Sequence, residues 1–150
     1  MRHYVIDGNN LIGKISNLQK LQNKDKQSSR EKLAFILERY FSSKNNIKVT
    51  LHFDGFPGSA IRIQNIKIIY SNNRIADDEI KLQIEHEKNP RNMIIISSDF
   101  NLKDFASKCG CDWKSCEDFS KDILNTNDED EEKKKIDGID NEEFKRLFNS

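Results

Sequence analysis

The chain has 150 residues, of which 35% are hydrophobic and 33% are charged, and its formal net charge is zero at pH 7. This length fits one domain with a substantial core, and the balanced charge argues against a protein whose whole surface attracts nucleic acid. No stretch reaches the roughly 18 apolar residues of a membrane span, and the N-terminus lacks the apolar core of a signal peptide. We therefore expect a cytoplasmic protein with no membrane partner; the composition does not indicate its oligomeric state.

The first predicted element is a short strand that ends in an acidic and amide-rich motif. Val5 and Ile6 are apolar and are followed by Asp7-Gly8-Asn9-Asn10. Gly8 tolerates backbone conformations that other residues resist, so we predict a tight turn there, with Asp7 at the carboxyl end of the strand. Open α/β sheets bind their ligands at this end of the strands.

A helix is predicted after a polar stretch with scattered leucines, residues 14–27. Ser28 and Glu31 have the spacing of a capping box, in which each satisfies a backbone amide at the helix start. Apolar residues at helical spacing follow, namely Leu33, Phe35, Ile36, Leu37, Tyr40 and Phe41.

Two further strands are predicted over residues 47–53 and 66–70, where β-branched and apolar residues dominate. The first of them stops at Asp54-Gly55, and the second runs into Ser71-Asn72-Asn73. Residues 61–64 fit neither strand nor helix clearly.

A helix over residues 74–88 carries Asp77 and Asp78 in its first turn, where the helix dipole favours negative charge. The apolar run Met93–Ile96 is typical of a central parallel strand that is buried on both faces, and it ends in Ser97-Ser98-Asp99. The last predicted elements are a short helix around residue 102, a brief edge strand at 111–113 and a helix at 119–124 capped by Ser115.

The alternation of strands and helices predicts an α/β fold, a three-layer sandwich around a central, mostly parallel sheet of about five strands. We assign residues 1–125 to one domain, residues 126–138 to a charged linker, and residues 139–150 to a C-terminal helix that docks on the same domain. Three cysteines, Cys109, Cys111 and Cys116, lack the spacing of a zinc site and are expected to be reduced, buried or incidental thiols.

Carboxylates follow three of the predicted strands. Asp7, Asp54 and Asp99 would meet at one edge of a parallel sheet, and Asp77 and Asp78 begin a helix nearby. Such a cluster repels itself unless a cation neutralises it, and hard oxygen ligands suit Mg²⁺ or Mn²⁺. A bound divalent ion activates water for attack on a phosphodiester. Neutral donors available at the same edge are Asn10, Ser97 and Ser98.

Each aspartate also has an ordinary structural explanation. Asp-Gly after a strand is common turn chemistry, which makes Asp54 the residue of this set that is easiest to explain without a function. Asp77 and Asp78 could serve only as a cap and as a partner of the helix dipole. The coincidence of several aspartates is therefore stronger support for a site than any one of them.

The ordered motifs of this sequence resemble the NYN domain of YacP-like proteins, which belong to the PIN-like nucleases. The resemblance covers about residues 3–124 and extends to Ser115-x-x-Asp118-Phe119 and the apolar C-terminal helix. In chain order, the motifs that carry it are Val5-Ile6-Asp7-Gly8-Asn9-Asn10-Leu11-Ile12, His52-Phe53-Asp54-Gly55, Ile75-Ala76-Asp77-Asp78-Glu79-Ile80 and Ser97-Ser98-Asp99.

This resemblance implies a PIN-like strand order, 3-2-1-4-5, and an endoribonuclease with an acidic metal cluster. It places the metal ligands at Asp7, at Asp77 or Asp78, and at Asp99, with Asp54 and Asn10 in support. Adjacent helical side chains diverge by about 100°, so we expect only one of the pair to point into the site, and Asp77 is preferred. The implied partner is RNA, including ribosome-associated mRNA, and the basic residues considered for RNA contacts are Lys14, Arg62, Lys67, Arg74 and Lys103.

Three functions are consistent with these features. The leading hypothesis is a Mg²⁺- or Mn²⁺-dependent endoribonuclease in which Asp7, Asp77 and Asp99 are catalytic. The alternative is a catalytically weak RNA- or ribosome-binding module of the same fold, suggested by the low positive charge. A phosphotransfer domain is a third hypothesis, although phosphatases of that kind require D-x-D where this chain has Asp7-Gly8-Asn9.

Overall fold

The computed structural model describes residues 1–124. Within them, one parallel sheet has the strand order β3-β2-β1-β4-β5. Its strands are β1 (Arg2–Asp7), β2 (Ile47–Phe53), β3 (Ile66–Tyr70), β4 (Met93–Ile96) and β5 (Asp112–Lys114). The predicted α/β fold and its strand order are therefore confirmed.

Helices cover both faces of this sheet. Within residues 1–124 they are α1 (Gly8–Gly13), α2 (Ser16–Lys24), α3 (Lys26–Phe41), α4 (Ala76–His86), α5 (Phe100–Lys108) and α6 at residues 116–124. None of the helices within residues 1–124 is long and apolar enough to cross a membrane. The predicted charged linker (126–138) and C-terminal helix (139–150) lie outside the described residues.

Two hydrophobic cores make the fold a three-layer sandwich. On one face of the sheet, Ile6 packs with residues of α1, α3 and α6, including Leu11, Leu33 and Phe119. On the other face, Val5 packs with residues of α4 and α5, including Ile80. Successive side chains of a strand point to opposite faces, so a central strand needs apolar residues at adjacent positions.

A buried polar cluster attaches α4 to the sheet. His52 of β2 hydrogen-bonds through Nε2 to Oε1 of Gln83 at 2.7 Å, and Nε2 of Gln83 donates to the Thr50 hydroxyl at 3.3 Å. His3 of β1 hydrogen-bonds to the same hydroxyl at 2.7 Å. Burial lowers the pKa of both His3 and His52, which favours neutral rings at this contact. The cluster fixes α4 to β1 and β2.

The predicted turn after β1 is instead the first turn of helix α1. Leu11 and Ile12 are buried, and their burial stabilises a helix that its own short sequence would not support. Gly8 is required for close packing: a Cβ there would lie 2.6 Å from the carbonyl oxygen of His52 and 2.7 Å from the ring of Phe53. The glycine therefore permits close approach of α1 to β2.

Helices α2 and α3 also differ from the sequence expectations. Residues 14–27 contain α2, which the sequence did not predict. Its buried residue is Leu18, and a single buried apolar position does not give the periodic pattern that indicates a helix. Helix α3 begins two residues before the predicted capping box. Its N-cap is Asp25, whose carboxylate accepts hydrogen bonds from the backbone amide of Ser28 at 3.2 Å and from the Ser28 hydroxyl at 2.6 Å.

Candidate active site

A cleft of about 380 Å³ opens where β1, β2 and β4 end. Four aspartates from four separate segments of the chain reach it, together with two amide side chains from the start of α1. Its lining residues are Asp7, Asn9, Asn10, Asp54, Ile75, Ala76, Asp77 and Asp99. The parallel sheet brings these segments together because all of its strands end at the same edge.

Asp7 is the most buried of these carboxylates, with 5% of its surface exposed. It ends β1, and its Oδ2 accepts a hydrogen bond from the Ser97 hydroxyl at 3.1 Å. Burial, and then the negative charge of Asp77, raise the pKa of Asp7 to about 7 against a weaker opposing effect of Ser97. A cation in the cleft would therefore favour the charged form of Asp7.

Asp77 and Asp99 face each other across the cleft from α4 and the start of α5. Burial, followed by the charge and a hydrogen bond of Asp99, raises the pKa of Asp77 to about 6, and the nearby Lys81 opposes this effect. Asp99 also caps α5, because its Oδ1 accepts a hydrogen bond from the amide of Leu102 at 2.9 Å. The Ser97 hydroxyl accepts a hydrogen bond from the amide of Asp99 at 3.1 Å and so links Asp99 to Asp7.

The amide side chains of α1 hold the neighbouring strand ends in place. Oδ1 of Asn9 accepts a hydrogen bond from the backbone amide of Asp54 at 2.8 Å, and Oδ1 of Asn10 accepts one from Ser98 at 2.9 Å. Oδ1 of Asp54 in turn accepts a hydrogen bond from the amide of Ala76 at 2.6 Å. Asp54 therefore does more than form a turn, because it fixes the start of the helix that carries Asp77.

Arg30 supports the same loop from beneath, which the sequence did not indicate. This α3 side chain is 3% exposed and donates hydrogen bonds to the backbone carbonyls of Asp54 and Phe56. Its guanidinium also lies over the rings of Phe53 and Tyr70, at 5.3 and 5.2 Å from their centroids. No sequence motif indicates this role, because Arg30 lies 24 residues before Asp54 and the contact depends on the packing of α3.

The remaining predicted polar residues lie around the cleft without lining it. Asp78 is exposed and does not line the cleft, whereas its neighbour Asp77 is half-buried and does. The Ser98 hydroxyl donates to the carboxylate of Glu117 at 2.7 Å and accepts from the amide of Cys116 at 3.0 Å. Ser98 therefore joins α6 to the rim of the site.

The predicted basic residues are divided between the two ends of the sheet. Lys14 pairs with Glu117 at 3.3 Å and Arg74 with Glu79 at 3.5 Å, next to elements that line the cleft. Lys103, in the first turn of α5, lies 4.3 Å from the ring centroid of Trp113. Arg62 lines a different groove, beside the start of β3, and Lys67 is the second residue of that strand. The structure does not bring these last two residues to the cleft.

The donor atoms of the cleft fit a hard divalent cation, although the ligand set is open. Carboxylate and amide oxygens are the ligands that Mg²⁺ and Mn²⁺ prefer. Burial, and then the charge of neighbouring aspartates, raises the pKa values of Asp7 and Asp77, and a cation would oppose both effects by favouring the charged carboxylates. Within residues 1–124, however, no three His, Cys, Asp or Glu side chains are close enough to hold one ion. The assignment of Asp7, Asp77, Asp78 and Asp99 as metal ligands therefore stays a prediction.

The cysteines take no part in the cleft. Cys111 and Cys116 are buried and Cys109 is partly buried, and all three are free thiols. Burial raises the pKa of Cys111 to about 11 and that of Cys116 to about 12, so both are neutral at physiological pH.

Comparison with known proteins agrees with this architecture. Two crystal structures of Rae1 (YacP) from Bacillus subtilis resemble the chain. One is a mutant form that has a TM-score of 0.70 and 19% sequence identity, and the match covers 95% of this chain and 89% of the mutant chain. The other structure has a TM-score of 0.68 and 20% sequence identity, and the match covers 99% of this chain and 93% of that chain. No curated protein sequence gives a match. The family model of the YacP-like NYN domain matches residues 4–148. The chain therefore belongs to the YacP-like NYN domain family and has its nuclease-type fold.

Proposed function

We propose that the chain is a divalent-metal-dependent endoribonuclease that cleaves RNA phosphodiester bonds in the acidic cleft. The observation that carries this proposal is the convergence of Asp7, Asp54, Asp77 and Asp99, from four segments of the chain, on one cleft. The repulsion between these carboxylates costs stability, so their convergence favours a ligand with positive charge. Membership of the YacP-like NYN family supports RNA as the substrate. Ribosome-associated mRNA as the target and a cytoplasmic location are parts of the proposal.

In this proposal Mg²⁺ or Mn²⁺ binds among Asp7, Asp77 and Asp99, where one or two of these carboxylates and water would hold it, as is usual for Mg²⁺. When bound, such an ion lowers the pKa of water and stabilises charge on the phosphate. Ser97 orients the carboxylate of Asp7 through its hydroxyl. Asp54 and Asn10 act through the backbone, because they fix the start of α4 and the end of β4. RNA phosphates on either side of the cleft would be within reach of basic side chains at its borders, namely Lys14, Arg74 and Lys103.

Cleavage of an end-labelled RNA with Mg²⁺ or Mn²⁺ tests the proposal. Asp7→Asn and Asp99→Asn should each reduce the cleavage rate by at least about 100-fold, the order of magnitude for loss of charge stabilisation at a reacting phosphate. Asp104→Asn is the matched control, since Asp104 lies in α5 outside the cleft and pairs with Lys108 at 3.0 Å. Its rate should equal that of the wild type, and full activity in both cleft variants would refute the proposal.

A binding module without turnover is the second candidate. It is favoured by one observation, that no three ligating side chains within residues 1–124 are close enough for a single ion. An RNA- or ribosome-binding protein would retain its affinity in EDTA and yield no product with either metal. Product that forms with Mn²⁺ and disappears in EDTA would eliminate this candidate.

A further inference from the structure

Three large apolar side chains around the cleft are exposed to solvent. Phe100 is 75% exposed, Phe56 is 60% exposed and Ile75 is 57% exposed. Phe100 directly follows Asp99, Phe56 is two residues from Asp54, and Ile75 lines the cleft itself. Residues 1–124 expose only two other large apolar side chains, Met1 and Phe35. Exposure of this kind therefore concentrates at the rim of the acidic cleft.

These side chains are exposed although the backbone beneath them is held firmly. Phe100 begins α5, whose first turn is capped by the carboxylate of Asp99. The carbonyl of Phe56 accepts a hydrogen bond from buried Arg30 at 3.0 Å, and the preceding amide of Gly55 donates to the Ser71 hydroxyl at 2.9 Å. The rings are therefore presented to solvent from fixed positions.

The sheet order places the two phenylalanines on opposite sides of Asp7. Phe56 follows β2 and Phe100 follows β4, and these strands are the two neighbours of β1. Two inter-strand spacings separate β2 from β4, or roughly 10 Å. An RNA strand that crossed the rim with one phosphate at Asp7 would have one of the two phenylalanine rings on each side of that phosphate.

Cationic side chains accompany both rings. Lys103 lies three residues after Phe100 in α5, Arg74 precedes Ile75, and the ammonium of Lys26 is 3.5 Å from the position that a Cβ on Gly55 would take. Separate aromatic rings interspersed with cations are the features with which proteins bind single-stranded nucleic acid, since bases stack on the rings while the cations track the backbone. A protein partner would instead favour a continuous apolar patch.

We propose that Phe100 and Phe56 each stack on an unpaired base flanking the scissile phosphate and so make single-stranded RNA the preferred substrate; this inference rests on the proposed endoribonuclease function. In a duplex the bases face one another and cannot reach the rings without being unpaired. Selection of unpaired RNA would then arise from the protein surface beside the cleft, independently of the metal ligands.

Binding of a fluorescent oligoribonucleotide to the full chain in EDTA tests this inference without cleavage. The probe is a single strand that contains 2-aminopurine, compared with the same strand annealed to its complement. Phe100→Ala and Phe56→Ala should each weaken single-strand binding by about 10-fold and reduce the quenching of 2-aminopurine, as expected when one stacked base is lost. Phe100→Trp should retain both properties. Phe35→Ala, in α3 and 50% exposed, is the matched control and should bind like the wild type.

The readout separates this inference from the proposed function. If Phe100→Ala and Phe56→Ala bind the single strand as tightly as the wild type, or if the wild type prefers the duplex, the inference is wrong even if the chain cleaves RNA. If both variants lose single-strand affinity while Phe100→Trp and Phe35→Ala keep it, stacking is supported even where no metal-dependent cleavage is found.

Discussion

The protonation of Asp7 links the site to the stability of the protein. The pKa of Asp7 is about 7 in the folded chain and 3.8 for an ordinary aspartate, so the folded state binds the extra proton between these values. The contribution of Asp7 to stability is therefore fully present below about pH 4 and is lost as the pH rises through 7. Ionised Asp7 destabilises the metal-free protein above neutral pH.

The expected consequence is that Asp7→Asn stabilises the metal-free protein at pH 8. The free energy of unfolding should rise by on the order of 1–3 kcal/mol, and the gain should shrink at pH 4.5, where Asp7 is protonated in the folded wild type. Urea unfolding in EDTA at the two pH values measures this difference, with Asp104→Asn as control. A gain that grew toward acid pH would contradict the burial argument.

Gly8 and Gly13, at the two ends of α1, make a matched pair for the packing of this helix. An added Cβ at Gly8 would overlap the backbone of His52 and the ring of Phe53, whereas nothing lies within 4 Å of one at Gly13. Gly8→Ala should therefore lower the free energy of unfolding by about 1–3 kcal/mol, and Gly13→Ala should leave it unchanged or raise it by about 0.5–1 kcal/mol. Equal stabilities in thermal unfolding would show that α1 can move away from β2.

The sequence indicates the aspartates of the cleft better than the residues that position them. Asp7 and Asp99 follow recognisable strands, so their meeting at one edge follows from parallel pairing. Asn9 stands in the same motif as Asp7, and only the contact with the end of β2 reveals its role. Arg30 was undetectable, because its contact with Asp54 depends on how α3 packs. The roles of the aspartates as catalytic residues and metal ligands stay predictions.

At the level of elements, the position of α4 depends on the side chain of Asp54. Replacing it by alanine removes the acceptor for the amide of Ala76 at the start of α4, which should lower the free energy of unfolding by about 1 kcal/mol. Asp54→Asn keeps an acceptor oxygen and should retain most of that stability. Because α4 carries Asp77, Asp54→Ala should also reduce the cleavage rate more than Asp54→Asn does. Equal losses in the two variants would instead show that Asp54 acts through its charge, which both variants lack.

The strands were predictable to within a residue or two because they are short apolar blocks bounded by polar turns. Residues 47–53 and 93–96 form β2 and β4 as expected, while the edge strand β5 begins one residue later than predicted. The first two helices were not predictable in this way. Helix α1 has glycine at both ends, and α2 buries a single leucine, so tertiary packing and not local propensity stabilises them.

At the scale of the whole molecule, neutral net charge is compatible with RNA binding only if the charges are distributed unevenly. The cleft is acidic, and Lys14, Arg74 and Lys103 lie near its borders, within a chain of 25 basic and 25 acidic residues. A bound divalent cation would offset part of the negative charge of the four carboxylates where a phosphate must enter. Sequence composition alone could not indicate this arrangement, because it sums charges that the fold separates.

Calorimetric titration with Mn²⁺ determines whether the cleft that contains Asp7, Asp77 and Asp99 binds a divalent cation. The wild type should show saturable binding that also raises its melting temperature, since an ion that binds only the folded state stabilises it. Asp7→Asn and Asp99→Asn should lose both effects, and Asp104→Asn should keep them. Binding of equal affinity in the wild type and both cleft variants, or no binding by the wild type at all, would show that these aspartates do not form a metal site.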